Sequence, residues 1–211
     1  MRILVVLSSP NASGLTAACA QAARQGVVDG GGRVRVVNLN DLDIARCAVH
    51  NGGWGSCRSE HRCQLEDDFG TVHDTVREAE GFVFVTPVYF GEPSEPMKAF
   101  FDRLRRCEAT REDMTNGKES LVGRPSVCIA AAGGSGAGAV SCLATMERVI
   151  RQIGAGVYDT LPVTQRTSDY QLETVHDAVA AMTSASRTGT RSETRKRSSA
   201  STRKRRGRSR R

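Results

Sequence analysis

Residues 1–16, MRILVVLSSPNASGLT, decide how the rest of the chain is read. Arg2–Leu7 is a short run rich in Ile, Leu and Val, the pattern of a strand buried on both faces. Ser8-Ser9-Pro10-Asn11-Ala12-Ser13-Gly14 is dense in turn residues, and a helical pattern starts at Leu15. Strand, hydroxyl-rich turn and helix, in that order, aim backbone N–H groups and a helix N-terminus at a phosphate. The stretch predicts a phosphate-bearing cofactor at the tip of the first strand.

Working outward, residues 15–28 are small and Ala-rich, as suits a helix lying close on a sheet, and Gly30-Gly31-Gly32 ends it. RVRVVNL, 33–39, reads as a second strand. Residues 40–66 show no strong period and hold Cys47, Cys57, Cys63 and the only Trp. Asp67-Asp68 is expected to cap a helix running to Glu80. GFVFVT, 81–86, is a third buried strand, followed by a turn at 87–91. Ser94 is expected to cap a helix with Met97, Phe100, Phe101, Leu104 and Cys107 on one face. Residues 111–121 are polar and loop-like. Pro125–Ala132 is a fourth strand ending in GGSGAG, and a helix with Val140, Leu143, Met146, Ile150 and Ile153 follows. Residues 156–163 form a weak fifth strand that Pro162 is expected to break. Ser168-x-x-Gln171 is a capping-box pattern opening a last helix with Leu172, Val175, Val179 and Met182. Strands alternating with helices predict an α/β fold: a doubly wound, five-stranded parallel sheet with helices on both faces. Its ligand belongs beyond the carboxyl ends of the strands, where strand order reverses.

The 211 residues suffice for one domain, expected over 1–182. The formal charge of +7 is unevenly placed: residues 183–211 hold twelve Lys/Arg and one Glu, leaving 1–182 mildly acidic. That Arg/Ser-rich tail has no aromatic residue and almost nothing apolar, so it is expected to be disordered. Its charge suits nonspecific contact with nucleic acid, against a dispensable extension as the other reading. Residues 3–7 are too short for a secretory signal core, and no apolar stretch approaches the ~20 residues of a membrane helix. A cytoplasmic protein without membrane contact is expected. There, seven cysteines are free, metal-bound or redox-active rather than structural disulfides.

The loops after strands one, three and four are the ones rich in Ser, Thr, Gly and Pro, and in a parallel sheet they emerge on one edge. One ligand touching all three is an economical account. The first loop lacks G-x-G-x-x-G and G-x-x-x-x-G-K-[ST], which argues against a dinucleotide fingerprint and a P-loop. It also lacks Lys and Arg: Ser9, Asn11, Ser13 and Thr16 offer neutral donors. A monophosphate fits better than a triphosphate with metal. A phosphatase C-x5-R is absent at Cys57, since Cys63 stands six residues on, and Cys142 to Arg148 falls inside a predicted helix.

ILVVLSSPNASGLT resembles the opening of the flavodoxin-like NAD(P)H-dependent FMN reductases and iron–sulfur flavoproteins. TPVYFGEPSEPMKAFFDR resembles their second signature and AAAGGSGAGAV their third flavin loop. The resemblance covers about 1–163. It implies a flavodoxin-like fold, FMN at the strand tips, NAD(P)H as co-substrate, a small electron acceptor such as a quinone or free flavin, and a homodimer or tetramer. It places Ser9, Asn11, Ser13, Gly14, Leu15 and Thr16 around the FMN phosphate. Pro87, Val88, Tyr89, Phe90 and Gly91 line the isoalloxazine, and Gly133, Gly134, Ser135 and Gly136 close over it. Ser8 replaces the family's usual glycine, Asn11 and Ala12 stand where basic residues are common, and Leu15 where Asn is frequent. The chemistry belongs to the flavin, so no catalytic side chain is assigned. Tyr89 and Phe90 either shape the pocket or pack in the core or a dimer interface. The alternative function is a flavin electron carrier with no nicotinamide-dependent activity of its own.

Cys47, Cys57 and Cys63 lie where iron–sulfur flavoproteins carry four clustered cysteines. Trp54 stands where a cysteine is expected three residues before Cys57, so the stretch resembles a cluster-less branch and an iron–sulfur cluster is not expected. A zinc site with His50 or His61 and redox thiols near the flavin are the other readings, beside simple unliganded thiols. Cys19, Cys107, Cys128 and Cys142 are expected in the core, and His73 and His176 on helix surfaces.

Overall fold

The computed structural model describes residues 1–109 and 120–185. The apolar runs become the strands of one sheet. β1 (Arg2–Leu7) leads through α1 (Leu15–Asp29) to β2 (Arg33–Asn38). A 3-10 turn (Leu39–Asp41), another at His50–Gly53 and the short α2 (Ser56–Ser59) carry the chain to α3 (Phe69–Glu78). β3 (Gly81–Tyr89), β4 (Glu92–Pro93), α4 (Glu95–Glu108), β5 (Pro125–Ala132), α5 (Ala139–Gln152) and β6 (Gly156–Thr164) follow, and a last helix, α6, runs over 168–185.

The strand order is β2-β1-β3-β5-β6, with every neighbouring pair in that order parallel. The chain moves outward from β1 to β2 and then crosses back to β3. The β1/β3 gap is therefore the topological switch point, where a crevice opens at the carboxyl edge. The five parallel strands match the sequence expectation; the sixth strand, β4, is a short antiparallel addition to the end of β3.

Side chains of successive strand residues leave on opposite faces and feed two cores. Ile3, Val5, Leu7, Val83, Val85, Val127 and Ile129 meet α1 and α6 on one face. Leu4, Val6, Phe82, Phe84, Cys128 and Ala130 meet α3, α4 and α5 on the other. Each fully buried Val, Leu, Ile or Phe stabilises by roughly 1.5–3 kcal/mol against exposure. The Ala-rich composition of α1 has a packing cause. A Cβ at Gly26 would stand 2.4 Å from the His176 carbonyl oxygen, so α6 lies directly on α1 there.

Several local expectations are corrected. β3 does not stop at Thr86 but continues through Pro87 and Val88 to Tyr89, because Pro87 still pairs with Ala131 and β4 supplies a partner beyond it. Pro162 does not break β6: it pairs with Ala130 within an edge strand, whose outer side needs no ladder bond. Ser168 and Gln171 do not form a capping box. Ser168 Oγ donates to the Gln165 carbonyl, and the Gln171 amide bonds the Thr167 carbonyl. α3 ends at Glu78, before the expected Glu80. His73 is not on the surface; it is buried with Nε2 2.6 Å from the equally buried Glu108 Oε1. Cys19, Cys107, Cys128 and Cys142 are buried as expected. Residues 183–185, expected in the disordered tail, instead continue α6, with Thr183 buried and its hydroxyl donating to the Val179 carbonyl, and Leu121, expected in the polar loop, is buried. Residues 111–119 of the expected loop and the tail from 186 onward lie outside the described residues.

Candidate functional site

Three loops leave the carboxyl ends of β1, β3 and β5, which are consecutive in the sheet, and so stand side by side. The fifteen residues that the family resemblance implies as cofactor-binding lie in these loops, and the fold brings all three groups to one edge. In the first loop, Ser9 is buried and its hydroxyl donates to the Asn11 carbonyl at 2.8 Å. Asn38, at the end of β2, accepts from the Ser9 amide at 3.1 Å and donates to the Ser9 carbonyl at 3.2 Å. Ser9 and Asn38 therefore shape the loop, while Asn11 and Ser13 are exposed on it and Thr16 is buried in the first turn of α1. The sequence reading missed Asn38; its only signal is a polar residue closing an apolar strand.

α1 follows Gly14 as its N-cap, with no side-chain cap and no acidic residue in its first turn. Its first amides are thus free of an internal anion, and the helix dipole adds partial positive charge. That is an anion site of the kind a phosphate uses.

The second loop is a tight hairpin. Val88 pairs with Pro93 and Tyr89 with Glu92, and the two turn residues, Phe90 (φ 53°) and Gly91 (φ 80°), are both left-handed. Positive φ at both central positions is the type I′ geometry, which matches the twist of the flanking strands. Pro87 is buried, Val88 partly buried, Tyr89 half-exposed and the Phe90 ring fully exposed. At the hairpin base, Ser8, Thr86 and Ser94 join hydroxyls: Ser94 Oγ donates to Ser8 Oγ at 2.7 Å and Ser8 Oγ to Thr86 Oγ1 at 3.1 Å. Ser94 stands at the N-cap of α4 as expected, but its hydroxyl makes no cap bond and turns to this cluster instead.

The third loop bends at Gly134 and Gly136, both with positive φ, and is closed by the Gly136 amide on the Gly133 carbonyl at 3.0 Å. Gly133 and Gly134 face open space, so nothing of the chain occupies the volume their missing side chains leave. Gly91 and Gly138 meet backbone to backbone: a Cβ at Gly138 would lie 2.6 Å from Gly91 Cα. Loops one and two are thus joined by hydroxyls, and loops two and three by glycine contact. The open glycine cradle, the uncapped helix and the partly apolar second loop fit a planar ring carrying a phosphate arm.

The cysteine segment packs along α4. It grips the far half of α4, where the Arg103 guanidinium donates to Cys63 Sγ at 3.3 Å and Arg106 to the Gly53 carbonyl at 3.3 Å. α4 starts at the switch point, so Arg103 and Cys107 lie about 12 and 18 Å further along its axis. Burial, and then the neighbouring Cys63, push the Cys57 thiol up, and burial pushes the Cys107 thiol up to about 12. Trp54 is 72% exposed, with the Arg58 guanidinium 4.3 Å from its ring centre. Cys47, His50, Cys57 and Cys63 border one small cavity, but among the described residues no group of three His, Cys, Asp or Glu is placed to hold a metal.

The model of the NADPH-dependent FMN reductase family matches residues 1–166, and the chain belongs to that family of oxidoreductases. Similar curated proteins are an iron–sulfur flavoprotein of Methanocaldococcus jannaschii, 28% identical over 105 residues (50% of this chain, 52% of that protein), and one of Methanosarcina thermophila, 33% identical over 73 residues (33% and 36%). The chain thus spans about half or less of the length of the curated relatives it matches. Among solved structures, an NAD(P)H:quinone oxidoreductase from Methanothermobacter marburgensis superposes with TM-score 0.63 at 15% identity, covering 86% of this chain and 96% of that one. An azoreductase from Bacillus anthracis gives 0.62 at 14% identity, covering 87% and 99%. At such identities these likenesses show the flavodoxin-like fold. No helix among the described residues is long and apolar enough to cross a membrane.

The relatives' iron–sulfur cluster does not fit the residues present here. A cubane normally takes four thiolates. Here Cys63 Sγ is held by Arg103, Cys57 Sγ faces the Gly55 carbonyl, and among the described residues no three such ligands converge on one point.

Proposed function

We propose that this chain binds FMN at the β1/β3 switch point and transfers electrons from NADH or NADPH to a small acceptor such as a quinone or free flavin. The observation that carries the reading is the meeting of the uncapped α1 N-terminus with two further ligand loops at one sheet edge. Asn11, Ser13, Gly14, Leu15 and Thr16 hold the phosphate through side-chain donors and the first amides of α1, and Ser9 sets the loop's shape from beneath. Pro87, Val88, Tyr89, Phe90 and Gly91 border one side of the ring. Gly133, Gly134, Ser135 and Gly136 approach its other side with backbone alone. Bound FMN supplies hydride acceptance and onward electron donation. The chain's part is to orient the ring, leave room for a second planar substrate, and aim N–H groups where reduction brings negative charge. No side chain is needed as acid or base. Exposed Phe90, Tyr89 and Val140 near the site suit burial against a second copy in a dimer or tetramer.

The test is direct. The purified protein is titrated with FMN, then mixed anaerobically with NADH or NADPH while the 450 nm band is followed. Tight FMN binding and bleaching by a nicotinamide are expected. Protein that neither retains nor takes up FMN sinks the reading, and bound FMN that no nicotinamide reduces leaves an electron carrier instead.

A further inference from the structure

We infer that the buried hydroxyls of Ser8, Thr86 and Ser94 are a lock that positions the ring-bordering hairpin, with Thr86 as its central positioning residue. The inference rests on the flavin reading for its consequence, but not for its geometry. All three side chains are inaccessible to solvent, at 0, 0 and 2% exposure. They come from three elements: the end of β1, the middle of β3 and the residue before α4.

The hairpin cannot hold itself. Its ladder has two residue pairs, Val88 with Pro93 and Tyr89 with Glu92, and Pro93 has no N–H to give. Hairpins this short are marginal in water. The Thr86 hydroxyl supplies the missing rung. Its oxygen accepts from the Ser94 amide at 3.0 Å, as a strand carbonyl would, and from the Ser8 hydroxyl at 3.1 Å. Its own proton has two acceptors in reach, Ser94 Oγ at 3.3 Å and the Pro87 carbonyl at 3.1 Å. Ser94 Oγ donates onward to Ser8 Oγ at 2.7 Å, which closes the cycle. Each hydroxyl is then satisfied without water, and each depends on the other two.

Two further features show what the lock does. Ser94 gives up capping α4, whose first residues, Glu95 and Pro96, include one with no amide proton to cap. At the opposite end the hairpin tip rests on Gly138. Fixed at base and tip, the hairpin displays Phe90 in its left-handed conformation at one set place.

Thr86→Val keeps the shape and removes the hydroxyl; Thr86→Ser keeps the hydroxyl. In the apo protein, amide exchange over 88–94 is expected to quicken about tenfold in Thr86→Val, the scale of one lost buried hydrogen bond, with 82–85 unchanged. FMN should bind about tenfold more weakly, and the visible circular dichroism of the bound flavin should change. Thr86→Ser should restore all three. Wild-type exchange over 88–94 in Thr86→Val, or a Thr86→Ser as impaired as Thr86→Val, overturns the inference. If Thr86→Val does not fold, Ser8→Ala carries the same exchange test, with faster exchange expected and an unchanged rate counting against the lock. Wild-type protein that binds no FMN defeats the flavin reading alone, because the exchange comparison needs no ligand.

Discussion

Arg103 on α4 and Asp67 ahead of α3 form a bidentate ion pair, Nη1 to Oδ2 at 2.5 Å and Nη2 to Oδ1 at 2.8 Å, with the guanidinium wholly buried. The same guanidinium donates to the Ala45 carbonyl and Cys63 Sγ and lies 4.3 Å from the Phe69 ring centre. One side chain thus ties together both ends of the stretch from Ala45 to Asp67. Arg103→Met leaves a buried carboxylate with no cation, which is expected to cost about 3–5 kcal/mol. Arg103→Lys keeps the charge but cannot reproduce the planar fork, and should fall between the two. Urea midpoints of the three proteins check the order; an Arg103→Met as stable as the wild type would falsify it.

The same pair makes stability depend on acid. Burial alone would raise the Asp67 carboxyl, but hydrogen bonds from Arg103 and the Ala45 amide outweigh it and hold the group below its ordinary value of 3.8. A depressed carboxyl stabilises fully above the unfolded value and loses that contribution as pH falls through the folded one. His176 runs the other way: hydrogen bonds to Asp29 and Asp177 raise it above 6.5, so its contribution is whole below that pH and fades as pH climbs through the folded value. Thermal midpoints should therefore fall on acidification below pH 4 less steeply in Asp67→Asn than in the wild type. They should decline above pH 6.5 in the wild type and not in His176→Gln. Parallel profiles in either comparison contradict the assignment.

Seven cysteines in a flavoprotein invite a redox reading, and burial sorts them. Burial pushes the thiols of Cys19, Cys128 and Cys142 up to about 12, as it does that of Cys107, so thiolate is scarce there at neutral pH. Cys47, Cys57 and Cys63 are partly exposed. Iodoacetamide on the native protein at pH 7.5 is expected to alkylate only these three, and all seven after unfolding, as read by peptide mass spectrometry. Rapid native labelling of Cys107 contradicts the packing of the segment on α4.

What the sequence revealed and what it hid divide along the range of the interactions. β1 and β5 match their expected bounds because an unbroken apolar run flanked by turn residues is a local signal. The loops after β1 and β5 were legible for the same reason, being dense in Ser and Gly. His73 looked like a surface residue because its partner, Glu108, lies 35 positions away. Ser94 looked like a plain cap because nothing near it in sequence announces Ser8, 86 positions earlier. The burial of Arg103 has no local signal either, since its partner Asp67 lies 36 positions away. The end of β3 was misplaced because Pro87 reads as a strand stop, whereas the pairing with β5 and β4 continues past it.

Phe90 offers a case where stability and function should separate. A bulky residue at φ 53° is strained, and strain of this kind costs of order 1–3 kcal/mol. Its ring is fully exposed, so within this chain it gains no burial in return. Asn tolerates the left-handed region, and Phe90→Asn is expected to raise the stability of the isolated chain by about 1 kcal/mol. The same change removes an aromatic face from the site's edge, so FMN or acceptor affinity should fall. Melting curves at several protein concentrations distinguish the causes. A gain independent of concentration fits relief of strain, whereas a loss that grows with wild-type concentration means the ring is buried against a second copy. A variant with neither a changed melting point nor a changed flavin or acceptor affinity contradicts both roles for Phe90.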